Sequence, residues 1–147
     1  MELTYENMVD HLNKYFDMIP KIDPASDPDI YKKMEKFFSD DFQVRWGTPV
    51  KFFNREQWID HLCGHANEYR ALIHYKKSPY YFIVDDRKKM AAGFIREQMT
   101  HPESGAIIKD FLINVHFAFT LVHGNAKFKY EMISQIPALY HVDSLTE

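Results

Sequence analysis

A single cysteine, Cys63, rules out an internal disulfide and fits a reducing compartment. An excess of basic residues is missing too. The 18 Lys+Arg against 21 Asp+Glu give a net charge of −3 and a pI near 6.2, which argues against a nucleic-acid module. Long apolar runs are absent: the most apolar stretch, Phe111 to Val122, contains Asn114 and His116 and falls short of the roughly 20 residues of a membrane span. The start, Met1–Asp10, is acidic and has no basic leader before an apolar run, so no export signal is expected. No repeat, low-complexity tract or domain-scale linker appears. The expectation is a soluble, cytoplasmic protein of one domain over residues 1–147, without nucleic-acid or membrane partners.

What is present supports a real core. Apolar residues make up 46% of the chain, and Phe 12, Tyr 9 and Trp 2 bring aromatics to 16%. Rings fill cores first, and they also line pockets for flat apolar ligands.

The first half reads as helical. In Tyr5–Ile19 the residues Met8, Leu12, Tyr15, Phe16 and Ile19 recur at three- and four-residue steps along one face. Pro20 and Pro24 break this helix. Asp27 is a candidate N-cap with Pro28 in the first helical position, leading into a second helix over Asp29–Phe38. The pattern then alternates, with Phe42, Val44 and Trp46 on one face of a short strand. Asn54 caps a third helix, Arg55–Glu68. Beyond Ala71 the chain is β-rich, with strands expected at about 71–76, 80–85, 89–100, 106–121 and 126–136. Ser78-Pro79, Asp85-Asp86-Arg87, the run from His101 to Gly105, and His123-Gly124-Asn125 mark the turns, and short turns join antiparallel neighbours.

In Ile107–Leu121 the odd positions Ile113, Val115, Phe117 and Phe119 are large and apolar, and Asp110, Asn114 and His116 take the other face. The same alternation assigns Phe128, Tyr130, Met132 and Ser134 to the inside of the last strand, opposite Lys129 and Glu131. Strands this long must bend. The expected class is α+β: a strongly curved antiparallel sheet forming a cone around three N-terminal helices.

This order resembles the nuclear transport factor 2-like (cystatin-like) superfamily over nearly the whole chain, and within it the SnoaL-like subgroup. Four segments carry the resemblance: Lys14-Tyr15-Phe16-Asp17, Ser39 to Trp46, Asn54-Arg55-Glu56-Gln57-Trp58, and the hairpin Phe117–Lys127. It implies a conical pocket for a small apolar or aromatic molecule, and a homodimer formed through the convex sheet face. It also implies dehydratase, isomerase or cyclase chemistry on a hydroxy or keto substrate, by general acid–base catalysis without a cofactor. Compared with ketosteroid isomerases, Tyr15 falls at the hydrogen-bonding tyrosine. The base position falls on Trp46, and the acid position on His116 or, with the apolar face kept inward, on Val115. Compared with scytalone dehydratase, His74 and His101 fall at the two histidines, so Tyr15, His74 and His101 are the nominated catalytic groups. Arg96-Glu97-Gln98 lacks the second carboxylate of an epoxide-hydrolase pattern. Phe42, Trp46, Trp58, His61, Phe117, Phe119 and Tyr130 are the expected pocket lining.

Two further readings stay open. The absent base at Trp46 favours a non-catalytic alternative, a ligand carrier or an association module like the small subunits of ring-hydroxylating oxygenases. His61 and His65 lie four apart on one helix, as metal-binding pairs do, with His74 a possible third ligand; the expectation nevertheless is no metal.

Overall fold

The computed structural model describes residues 2–47, 49–75 and 82–137, and for 135–137 the backbone alone. Helix α1 (Tyr5–Met18) starts in a capping box: Thr4 Oγ1 accepts from the Asn7 amide at 3.2 Å, and the Asn7 side chain accepts from the Thr4 amide at 2.9 Å. Its apolar stripe buries Met8, Leu12, Tyr15 and Phe16. A 3-10 turn over Ile19–Lys21 follows where Pro20 ends the pattern.

Helix α2 is shorter than expected, Ile30–Glu35, and is not capped by the Asp27 side chain. Asp27 instead accepts from the Asp29 amide at 3.1 Å and pairs with Lys33 at 2.7 Å. The helix stops early because Phe38 is already the first residue of strand β1 (Phe38–Trp46), where it pairs with Phe128 near the chain's end. Tertiary pairing overrides local helix preference here. A short strand that the sequence does not announce, β2 (Lys51–Asn54), lies antiparallel to β1. Helix α3 occupies Arg55–Glu68 as expected, with Asn54 and Gln57 forming the second capping box at 2.8 and 2.9 Å.

Strands β3 (Arg70–His74), β4 (Phe82–Asp85), β5 (Met90–Thr100), β6 (Ile107–Val122) and β7 (Asn125–Pro137) lie within a few residues of expectation. The Ser78-Pro79 turn lies outside the described residues. His123 and Gly124 both take positive φ, 49° and 78°, in the tight two-residue loop that twisted hairpins favour.

Among the described residues the strands form one sheet in the order β2-β1-β7-β6-β5-β3, with β4 on the same edge of β5 as β3. The sheet is mixed, not wholly antiparallel, because β1 and β7 run parallel. No hairpin joins these two strands, so nothing local fixes their relative direction. The sheet is curved and open. On β6 the odd residues Ile113, Val115, Phe117 and Phe119 are buried against α1 and neighbouring rings, as alternation predicts. Tyr15 meets Phe128 at 5.0 Å, and Phe117 stacks on Phe128 at 4.4 Å. No helix among the described residues is long and apolar enough to cross a membrane.

A single irregularity decides which side chains of β7 face inward. Between Ala118 and Phe119 of β6, the partner strand advances two residues, from Tyr130 to Phe128, so Lys129 is an extra residue in a β-bulge. Alternation therefore restarts after the bulge. Glu131 pairs with the inward Phe117 and Ile133 with the inward Val115, whereas Tyr130 pairs with the outward Ala118. This corrects the expected inner set of Tyr130, Met132 and Ser134.

Candidate functional site

The concave side of the sheet, α1 and α3 enclose a cavity of about 200 Å³. This is smaller than the roughly 300–1,000 Å³ typical of drug-sized pockets, so its occupant is compact. The closed end is built by Tyr15, Trp58 and Val115, all nearly inaccessible. Here Trp58 Nε1 donates to the Tyr15 hydroxyl at 3.2 Å, which leaves the hydroxyl's own proton to be donated into the cavity.

Two carboxyl groups face this space from strands on either side of β6: Glu97 of β5 and Glu131 of β7. The curvature of the sheet brings them into one cavity. Glu131 is only 3% exposed, and its Oε1 has no hydrogen-bond partner among the described residues. A buried carboxyl without a partner disfavours its charged form. Burial, and then the charge of Glu97, hold Glu131 well above the ordinary carboxylate range. Burial alone pushes Glu97 up to about 7. Burial and the two acids also raise Tyr15, so its hydroxyl keeps its proton. Around neutral pH the site therefore holds a neutral acid, a half-ionised acid and a neutral phenol. That combination can give one proton and take another.

Helix α3 supplies one wall as a ladder of rings. His61 stacks on Trp58 at 5.1 Å, His65 meets His61 at 4.4 Å, and Tyr69 follows at 6.2 Å. Residues three and four apart share a helix face, so this ladder follows from sequence spacing. Burial lowers both histidines, His61 to about 4, with the neighbouring His65 as a second cause. Both are neutral at pH 7. His65 Nδ1 is buried without a partner among the described residues. At the open end Lys109 Nζ sits 5.1 Å over the Tyr69 ring, with Arg70 nearby on the same rim.

The fold is shared with solved structures. BvnE pinacolase from Penicillium brevicompactum superposes with a TM-score of 0.69 at 11% identity, covering 98% of this chain and 93% of that one. AusH from Aspergillus nidulans gives 0.69 at 8% identity over 90% and 86%. An NTF2-like protein of unknown function from Shewanella baltica OS155 gives 0.56 at 16% identity over 92% and 99%. The chain has the nuclear transport factor 2-like fold. No protein-family model and no curated protein matches the sequence.

Within this nuclear transport factor 2-like cone, Tyr15, Trp46, Trp58 and His61 line the cavity. Phe42, Phe117 and Phe119 lie in the packed core outside the lining; Phe42 packs on Phe38 at 4.4 Å. Tyr130 turns outward because of the bulge. His74 and His101 do not join Tyr15. His74 is exposed on the outer face, where Nε2 bonds Gln98 Oε1 at 3.1 Å. His101 is exposed in a turn and accepts from the Glu103 amide through Nδ1 at 3.2 Å. Strand parity explains the first of these corrections: His74 shares the face of the exposed Leu72, so it cannot point inward. His74 lies away from His61 and His65, and among the described residues no group of three His, Cys, Asp or Glu side chains gathers for a metal. Val115, not His116, faces the cavity. Asp110 lies on the outer face in a two-pronged pair with Arg96, at 3.1 and 2.7 Å.

Sequence reasoning missed Glu97 and Glu131. Glu97 shares the parity of Ala91, Ile95 and Met99, all buried, so alternation alone marks it as inward. Glu131 carries no such signal, because the bulge reverses its face.

Proposed function

We propose that this protein is a small-molecule enzyme, a lyase or isomerase that moves protons on a compact apolar or aromatic hydroxy or keto substrate. The observation that carries the reading is Glu131: a buried carboxyl with an unpartnered oxygen, facing a cavity it shares with Glu97. An acid without a structural partner costs stability, and proteins accept that cost most readily at sites of chemistry.

In a dehydration, the Glu97 carboxylate takes a proton from carbon, and the C–H electron pair becomes the new C=C bond. The C–O bond breaks, and the hydroxyl leaves as water with the proton of Glu131. Tyr15 donates its O–H to a neighbouring carbonyl oxygen as charge builds there. Solvent then returns one proton to Glu131 and removes one from Glu97. These steps need no cofactor. The likeness in fold to a pinacolase supports the reading, since pinacol-type chemistry also expels a hydroxyl under acid assistance.

The outer sheet face carries exposed Leu72, Phe94 and Ile108 around the Arg96–Asp110 pair. We read it as the contact of a homodimer.

The test is turnover of a panel of hydroxy ketones, vicinal diols and hydroxy-aromatics by Glu97→Gln and Glu131→Gln. Each variant should lose about 100-fold or more in kcat with ligand binding retained. If both turn over like the unaltered protein, the acid–base reading is wrong. If nothing in the panel is turned over yet ligands bind, the chain is a carrier.

A further inference from the structure

The cavity is polarised along its length. At the closed end lie Tyr15 and Glu131, both uncharged at neutral pH, and at the rim lie two cations, Arg70 and Lys109. The strand register sets the order between them. Glu97 lies opposite Phe111 and Met99 opposite Lys109, so Lys109 stands one same-face step, about 7 Å, beyond Glu97 toward the rim.

The two rim cations are not equally free. Arg70 donates to the Ala66 carbonyl and lies 3.9 Å from Asp23 Oδ2, so much of its charge is already answered. Lys109 rests over the Tyr69 ring, and no carboxylate lies within ion-pair distance of it among the described residues. In a chain of net charge −3, an unanswered cation beside an apolar cavity stands out. It leaves one positive charge at the mouth with no direct ion pair among the described residues, which suits a monoanion.

We propose that the substrate carries a carboxylate that Lys109, assisted by Arg70, holds at the rim, while its reacting hydroxyl or carbonyl lies deeper, between Glu97 and the Tyr15–Glu131 end. This rests on the acid–base function proposed for Glu97 and Glu131 and names its substrate class: a hydroxy or keto acid whose charged end is separated from the reacting carbon by a few bonds. The neutral histidines of the ladder then serve as uncharged walls, and the charge on the substrate is met only at the mouth. A carboxylate placed at the closed end instead would lose both rim cations and share a buried space with the ionising Glu97, so the cavity favours the molecule in one direction.

The experiment is calorimetric titration of hydrocinnamate and of its amide, hydrocinnamide, which differ only in the charged end. The protein should bind the carboxylate about tenfold more tightly than the amide at low salt, and the margin should shrink as salt rises. Lys109→Gln should remove most of that margin while leaving amide affinity and thermal unfolding unchanged; Arg70→Gln should remove a smaller part. Equal affinity for the two probes, failure of both to bind, or a margin that survives in both variants overturns the proposal. Repeating the titration with Glu97→Gln separates the two readings. A carboxylate preference with no turnover of any acid keeps the anion site and sinks the enzyme; turnover of neutral hydroxy ketones without a carboxylate preference does the reverse.

Discussion

The indole of Trp58 hydrogen-bonds the hydroxyl of Tyr15 at 3.2 Å, tying α3 to α1 across the closed end of the cavity. Both residues are almost wholly buried. Tyr15→Phe keeps the ring packing but leaves the indole N–H without an acceptor, so it should cost about 1–3 kcal/mol in urea unfolding. It should also lower kcat about tenfold or more, by removing the proton donor. An unchanged urea midpoint would show that this bond contributes nothing to the fold.

The pH dependence of turnover should follow Glu97. A base must be ionised to act, and this one titrates near 7, so kcat should climb through about pH 7 and level off above it. Glu97→Gln should abolish this rising limb along with most of the rate. A flat profile between pH 6 and 8, roughly one unit either side, would assign the base elsewhere.

Stability should show the same acids from the other side. The unfolded chain ionises Glu97 near 4.5, whereas the folded chain holds its proton up to about 7. The unfolded state thus binds fewer protons in that window, and folding stability is full below 4.5 and falls as pH rises toward 7. Glu97→Gln should therefore become more stable than the unaltered protein across this range, by roughly 3 kcal/mol at most. Glu131→Gln should act in the same direction. His11 and His61, each lowered to about 4, oppose the trend, since their contribution is lost as pH falls from 6.5 through 4. Urea titrations of the two glutamine variants against pH would read this; a variant weaker than its parent at pH 7 would contradict it.

The two outward histidines should be dispensable. His74→Ala and His101→Ala are expected to leave kcat within about twofold, because neither side chain reaches the cavity. A loss of two orders of magnitude in either would mean that the site is on the other face of the sheet.

For the outer face, Phe94→Glu places a charge on the same sheet face that exposes Leu72 and Ile108. Sedimentation should show a dimer converted to a monomer with the secondary structure intact. A parent that sediments as a monomer would remove the proposed contact.

Helices α1 and α3 and the inward face of β6 were legible because their periods are uninterrupted and because the cap of α3, Asn54, is explicit. Glu97 was equally legible by parity, yet motif spacing drew attention to Arg96 beside it and away from its face. His74 shows the converse error, in which family-like spacing outweighed the direction a strand gives its side chain, and His101 lies in the turn just past β5. Glu131 was not legible at all. Its face depends on Lys129 being squeezed out of the ladder, and that depends on how β6 and β7 match along their whole length. The start of β1 at Phe38 was hidden for a similar reason, since its partner is Phe128, far along the chain.

The parallel pairing of β1 with β7 has a consequence for how the chain is made. As the protein leaves the ribosome, Phe38–Trp46 find β2 at once, but their other edge stays bare until Asn125–Pro137 have emerged. Assembly must therefore wait for β7, and this long-range pairing should slow folding. During that wait the bare edge is a place where a nascent chain can pair with the wrong neighbour.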